Sequence, residues 1–248
     1  LDSGQYLVEG DERPYRGWKD GGHGRVDMNK AIIESSDVYF YSLAYDLTIN
    51  NLSPFLEKFG FGEQSGLTKR EGKGILPSRK WKLGYKGESW FKGDTINMGI
   101  GQGYITATPL QIAVAYSVLA NKGKLVQPRI IEKIGEENTE TVIKKNISLV
   151  DDINWKRIEK SLLGVVEASN GTANNIYDKN IRIAGKTGTA QVKSILETEY
   201  ELLRVDKSLR DHALFVGYGP VEEPKLVVVA IIENGESGSA VAAPLVRR

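Results

Sequence analysis

"HALFVGYGPVEEPKLVVVAIIEN", residues 212–234, decides the fold of this 248-residue chain. The two apolar runs in it, 212–219 and 225–234, are rich in Val, Ile and Phe, which favour a pleated, half-buried surface. Pro220 and Pro224 bracket the short polar link between them. A proline gives no N–H to a sheet ladder, so the link is a turn and the two runs are expected to pair as an antiparallel hairpin. A third strand candidate, 181–187, lies just upstream. The earlier part of the chain reads mainly as helix. Helices first and an antiparallel sheet last indicate α+β, an antiparallel sheet flanked by helices, rather than repeating βαβ units.

Working back from the hairpin, "DDINWKRIEKSLLGVVEAS" (151–169) has helical spacing behind an aspartate cap. Thr108-Pro109 opens the clearest helix, "TPLQIAVAYSVLANKG", which stops near Gly123. "PRIIEKI" (128–134) reads as a strand, 135–147 as a polar excursion, and 61–96 as loop-rich. Ser53 as N-cap, Pro54 at the first helical position and Gly60 as a stop predict a short helix. Asp27 caps "MNKAIIES", and "VYFYSLAYDLT" continues after an interruption at Ser35-Ser36-Asp37, three residues that prefer caps and turns. The chain opens on a polar, glycine-rich stretch and closes on "GSAVAAPLVRR", the first turns of a helix. The expectation is one domain over 1–248 that is incomplete at both ends.

Composition narrows the possible functions. A 40% hydrophobic content allows a sizeable core. A formal charge of +1 gives no general attraction to nucleic acid, which is excluded as a partner class. Without cysteine there are no disulfides or thiolate metal sites. No apolar run approaches the roughly 20 residues that span a bilayer.

"AGKTGTAQV" (184–192) places a lysine, two threonines and two glycines where a buried strand should continue. A lysine on a strand edge carries a fixed positive charge, and neighbouring hydroxyls add donors for a carboxylate. Gly188 leaves room for an extended peptide to pair with the strand backbone. Period-2 alternation sends Lys186 and Thr187 to opposite faces, so both serve one ligand only at an exposed edge. Taken alone, the motif reads first as a strand-end lysine in water, and Ser35-Ser36-Asp37 taken alone reads first as a helix cap. Together and in this order, a serine two positions before Asp and a later Lys-Thr-Gly are elements of active-serine penicillin-recognising sites.

With "GHGRVDMNKAIIESSDVYFYSLAYD", "FGFG", "GILPSRKWK", "GDTINMGIGQGYITATPLQ", "NGTA", "AGKTGTAQV" and "DHALFVGYGP", the chain resembles the transpeptidase domain of class B penicillin-binding proteins. Asp37 in place of the commoner Asn points to the elongation-type penicillin-binding protein 2 branch. The resemblance implies the penicillin-binding transpeptidase and serine β-lactamase-like fold. It also implies a D,D-transpeptidase that crosslinks peptidoglycan stem peptides through a serine acyl-enzyme and is a target of β-lactams. In that scheme Ser35 relays a proton, Asp37 positions the substrate amide, and Lys186 contributes positive potential. Thr187 and Thr189 bind the terminal carboxylate, and the Thr189 N–H is half of the oxyanion hole. Ser36, Thr187, Gly188 and Thr189 border the substrate. The implied partners are a D-Ala-D-Ala donor, an amine acceptor, β-lactams, a membrane glycosyltransferase and elongation-complex proteins. The implied place is the periplasmic side of an inner-membrane anchor outside this sequence. A D,D-carboxypeptidase or β-lactamase, in which water resolves the acyl-enzyme, uses the same motifs, and a penicillin-binding-like scaffold could keep the fold.

The family's nucleophile stands in an S-x-x-K element upstream of Ser35. The only S-x-x-K here is Ser89-Trp90-Phe91-Lys92, downstream and with no helical spacing around it. The nucleophile is therefore expected before Leu1. Some relatives carry a structural zinc held by two aspartates, a histidine and a cysteine. Asp2 and His23 match two of these positions, Gly17 and Ser36 stand at the others, and Asp20 is out of register. Two ligands do not close a tetrahedral site, so neither metal nor cofactor is expected. His23 is then a loop histidine bonded to neighbouring backbone.

Overall fold

The computed structural model describes residues 1–11, 13–192 and 206–247. The helices are α1 (Met28–Ile33), α2 (Asp37–Glu57), α3 (Arg79–Lys86), α4 (Lys92–Gly99), α5 (Pro109–Ala120), α6 (Ile153–Glu167) and α7 (Ala243–Arg247). The strands are β1 (Gln5–Tyr6), β2 (Tyr15–Arg16), β3 (Lys124–Val126), β4 (Lys133–Ile134), β5 (Glu137–Asn138), β6 (Ile143–Asn146), β7 (Ala184–Ala190), β8 (His212–Gly219) and β9 (Leu226–Ile232). The main sheet runs β7-β8-β9, antiparallel throughout. The hairpin of 212–234 is thus present, and its first strand is the centre of the sheet.

β8 is central because its side chains can be buried on both faces: Ala213, Phe215, Val216 and Tyr218 are all buried. Phe215 and Tyr218 belong to one apolar cluster with Leu162, Val165 and Val166 of α6, Ile32 of α1, and Ala242 and Ala243 at the C-terminal turn. Helix α6 lies on β7 and α1 lies on α6, while α5 covers β8 and β9. This stack matters for the site. It carries the end of α1 over the outer edge of β7.

Most local signals act as expected. The Asp27 carboxylate accepts from Lys30 N and starts α1. Thr108 and Gln111 form a reciprocal capping box around Pro109. Asp152 precedes α6 without a side-chain cap bond, and its neighbour Asp151 accepts from Ile153 N instead.

Five expectations need correction. Ser53 does not start a helix, because Thr48 adopts φ +61° and breaks α2 earlier; Pro54 lies inside the second part. Residues 61–96 hold one eight-residue helix, α3, and the start of a second, α4, which runs on to Gly99. α3 is capped by Ser78 and ended by Gly87 at φ +71°, while α4 is started by Asp94, which accepts from Phe91 N. Eight residues give too few turns for periodicity to register, and the pair is held instead by the buried Lys82 bonding Asp94 at 2.7 Å. Of 128–134 only Lys133–Ile134 is strand, paired with β5. Within 135–147, β6 pairs with β3, a strand the sequence did not suggest. The strand expected over 181–187 starts three residues late, at Ala184, so Gly185–Thr189 of the polar motif all lie within β7.

Helices α2 and α4 cross at close range. A Cβ on Gly99 would lie 2.4 Å from Ala44 Cβ and 2.9 Å from the Phe40 carbonyl. Gly99→Ala should therefore cost about 1–3 kcal/mol. It should be read as a lower urea midpoint at unchanged slope; an unmoved midpoint would contradict this crossing.

Candidate active site

The turn Ser35-Ser36-Asp37 joins α1 to α2. Ser35 has φ +56°, a left-handed conformation that costs a non-glycine residue roughly 1–3 kcal/mol and persists only where surroundings impose it. The neighbours that impose it come from residues 1–24. The fully buried Ser36 turns inward, where its hydroxyl accepts from Tyr39 N as the α2 cap and donates to Asp2 Oδ2 at 2.6 Å. Asp37 accepts from the backbone N–H of Trp18 at 2.9 Å, and the Trp18 indole N–H donates to the Ser35 carbonyl at 2.8 Å. With Ser36 committed below, the Ser35 hydroxyl is left facing β7.

It meets Lys186 there. Lys186 Nζ donates to Ser35 Oγ at 2.7 Å and to the Thr187 carbonyl at 3.2 Å. Burial pushes the Lys186 ammonium down to about 8, against the opposing pull of the Asp37 carboxylate. Burial in turn raises Asp37, partly offset by the Trp18 N–H and the Lys186 charge. A lysine whose pKa is drawn down to about 8 and which is bonded to a hydroxyl can both offer positive charge and exchange a proton.

Strand β7 has its other side free of strand partners among the described residues. The carbonyls of Thr187 and Thr189 face that outer side, where Lys186 and Gln102 Nε2 (2.8 Å) reach them. A strand residue's N–H and C=O point the same way, so the N–H groups of Thr187 and Thr189 also face outward. Thr187 sends its side chain to the opposite face from Lys186, where its hydroxyl meets Thr172 at 2.8 Å. Thr189 is exposed. At Gly188 a Cβ would only touch Leu214 Cβ at 3.4 Å.

Of the residues singled out from sequence, Ser35, Asp37, Lys186, Thr187, Gly188 and Thr189 converge. Ser36 is the correction: sealed beneath the turn, it is closed to any substrate. Ser89 is exposed and lies before α4, whose first residue is Lys92; the lysine donates to Tyr45 Oη at 2.9 Å. That geometry is not a serine at a helix start with a lysine one turn on. Sequence reasoning missed Trp18, Gln102 and Thr172. Gln102 is presented by a tight loop between Gly101 and Gly103, both at positive φ, and that glycine pair was the one available signal.

His23 corrects another expectation: its partner is a side chain. Nδ1 bonds Asp2 Oδ2 at 2.7 Å, and the other Asp2 oxygen accepts from Gly4 N at 2.8 Å. Burial would raise the Asp2 carboxyl, but bonds from Ser36, Gly4 and His23 hold it below its ordinary value. These residues do not fit the zinc that the resemblance raised. His23 Nε2 is buried without a hydrogen-bond partner. However, the described residues contain no group of three His, Cys, Asp or Glu side chains able to hold a metal, and the Asp2 oxygens are already used.

The family description "Penicillin binding protein transpeptidase domain" matches residues 1–248. The chain is similar to the Haemophilus influenzae peptidoglycan D,D-transpeptidase MrdA, 42% identical over 255 residues. That match covers 100% of this chain and 39% of the relative, so the chain spans about two fifths of that relative's length. A crystal structure of Pseudomonas aeruginosa PBP2 in complex with WCK 5153 superposes with TM-score 0.88 at 39% identity, over 100% of this chain and 51% of that one. A complex between Helicobacter pylori PBP2 and MreC superposes at 0.84 and 32% identity, over 99% and 43%.

With Gly17 and Ser36 at two of the four positions, elemental analysis of protein purified without chelator should find well under one zinc per chain. A value near one would show that His23 Nε2 has recruited ligands, Asp20 being the first candidate.

Proposed function

This chain belongs to the penicillin-binding protein transpeptidase family, in its elongation-type class B branch, and on that premise we propose that it handles the carboxylate, the oxyanion and the protons of peptidoglycan D,D-transpeptidation. The observation that carries the reading is the 2.7 Å bond between Lys186 and Ser35, which joins the turn at α2 to the outer edge of β7.

The chemistry is acyl transfer. A serine oxygen attacks the carbonyl of the penultimate D-Ala, the C–N bond to the last D-Ala breaks, and the departing amine takes a proton. An acceptor amine then attacks the ester, the serine–acyl bond breaks, and the serine oxygen regains a proton. A stem peptide lying along β7 would meet the outward N–H of Thr189 where the oxyanion develops. Loss of such a donor typically costs about 2.7–4 kcal/mol of barrier stabilisation. Lys186 and the threonine hydroxyls suit its terminal carboxylate. The Ser35 hydroxyl, held by Lys186, is placed to pass a proton to the leaving nitrogen. Asp37, kept in place by Trp18, accepts from a substrate amide. The nucleophile in this reading is a serine of the longer protein other than Ser89, which is in the wrong place and the wrong register. Residues 1–248 alone then form no β-lactam adduct.

The relatives support the setting. The Helicobacter pylori PBP2 is seen in a complex with MreC, which supports a multi-protein assembly as the context here; the place that fits the family reading is the periplasmic side of an inner-membrane anchor. Among the described residues no helix is long and apolar enough to cross a membrane.

In the longer protein, Lys186→Ala should slow penicillin acylation at least tenfold, about 1.4 kcal/mol of barrier. The carboxylate needs the charged lysine, and the free protein's Lys186 loses its proton near pH 8. Acylation should therefore be flat below about pH 7 and fall through an alkaline limb near pH 8. Lys186→Arg, which stays charged, should remove that limb. A wild-type profile flat to pH 10, or equal rates with alanine, would take Lys186 out of the site.

A further inference from the structure

We infer that Trp18 is a positioning residue for the catalytic turn, setting Ser35 for its exchange with Lys186; the inference rests on the acyl-transfer reading above. Its side chain is 62% exposed, so core packing does not explain a tryptophan here. Its polar atoms do. The backbone N–H holds the Asp37 carboxylate and the indole N–H holds the Ser35 carbonyl, so one residue fixes both ends of the three-residue turn. The middle residue, Ser36, is fixed from the same segment by Asp2.

The indole bond is the one that bears on Ser35. A serine at φ +56° has its carbonyl turned out of both flanking helices, and relaxing toward ordinary helical angles would swing the hydroxyl away. A donor on that carbonyl favours the strained state. With it in place, Ser35 Oγ stands 2.7 Å from Lys186 Nζ. The ring is braced in turn. Its centroid lies 5.6 Å from the imidazole of His23, which Asp2 anchors. Trp18 therefore acts through Ser35 and Asp37, not by touching the reacting carbonyl.

The test removes one hydrogen. In the longer protein, Trp18 is replaced by 3-benzothienylalanine, which keeps ring shape and area but has sulfur in place of N–H, and in parallel by Trp18→Phe. Stopped-flow acylation with a fluorescent penicillin separates the first-order acylation step from initial binding. The expected result is a five- to twentyfold fall in the first-order step, a change under twofold in the binding constant, and an unchanged melting temperature. An unchanged first-order step in the benzothienyl protein overturns the inference, as does a fall confined to binding or matched by lost melting temperature. If wild-type protein forms no adduct, the acyl-transfer reading itself fails, which is a different result from an acylating wild type with indifferent variants.

Discussion

A lysine ammonium drawn out of water and made to share a hydrogen with a serine hydroxyl is the constraint on which the rest of this structure depends. The two residues are 151 positions apart. Bringing them within 2.7 Å requires α1 to rest on α6, α6 to rest on β7, and β7 to be an edge strand among the described residues. The burial that weakens the lysine's hold on its proton also makes it useful, because a lysine near pKa 8 is charged enough to attract a carboxylate and neutral enough to trade protons. Asp37 opposes that burial electrostatically. The Asp37 carboxylate is itself held by the backbone N–H of Trp18.

The fold was legible where the deciding signal was local. The hairpin of 212–234, the Asp27 cap, and the Thr108–Gln111 box with Pro109 each rest on residues within a few positions of one another, and each is present. Local preference failed where packing overruled it. A serine cap is worth about 1 kcal/mol, too little to place a helix start at Ser53 once the chain breaks at Thr48. The short helices α3 and α4 escaped because what stabilises them is a cross-helix pair, Lys82 with Asp94, not a repeating stripe.

The candidate site divides along the same line. Lys186, Thr187, Gly188 and Thr189 stood out because a strand had turned polar, and Ser35 and Asp37 because a helix was interrupted. The residues that hold them did not stand out. Trp18, Gln102 and Thr172 reach their partners across 17, 87 and 15 positions, and none belongs to a pattern with a chemical reason for its spacing. Ser36 was misread for the converse reason: it belongs to the motif by position but points into the interior.

The outer edge of β7 has one further consequence. A strand kept open for a guest peptide is also open to another copy of the same chain, and such edges are where sheets join into aggregates. Here two of the outward carbonyls are already occupied by side chains of the molecule itself, Lys186 on Thr187 and Gln102 on Thr189. Each contact is a single exposed or part-buried hydrogen bond, worth about 1 kcal/mol net, which a well-fitted ligand can displace. A loosely matched strand from a neighbouring molecule gains less from the exchange. The edge is thus guarded by its own side chains without being closed.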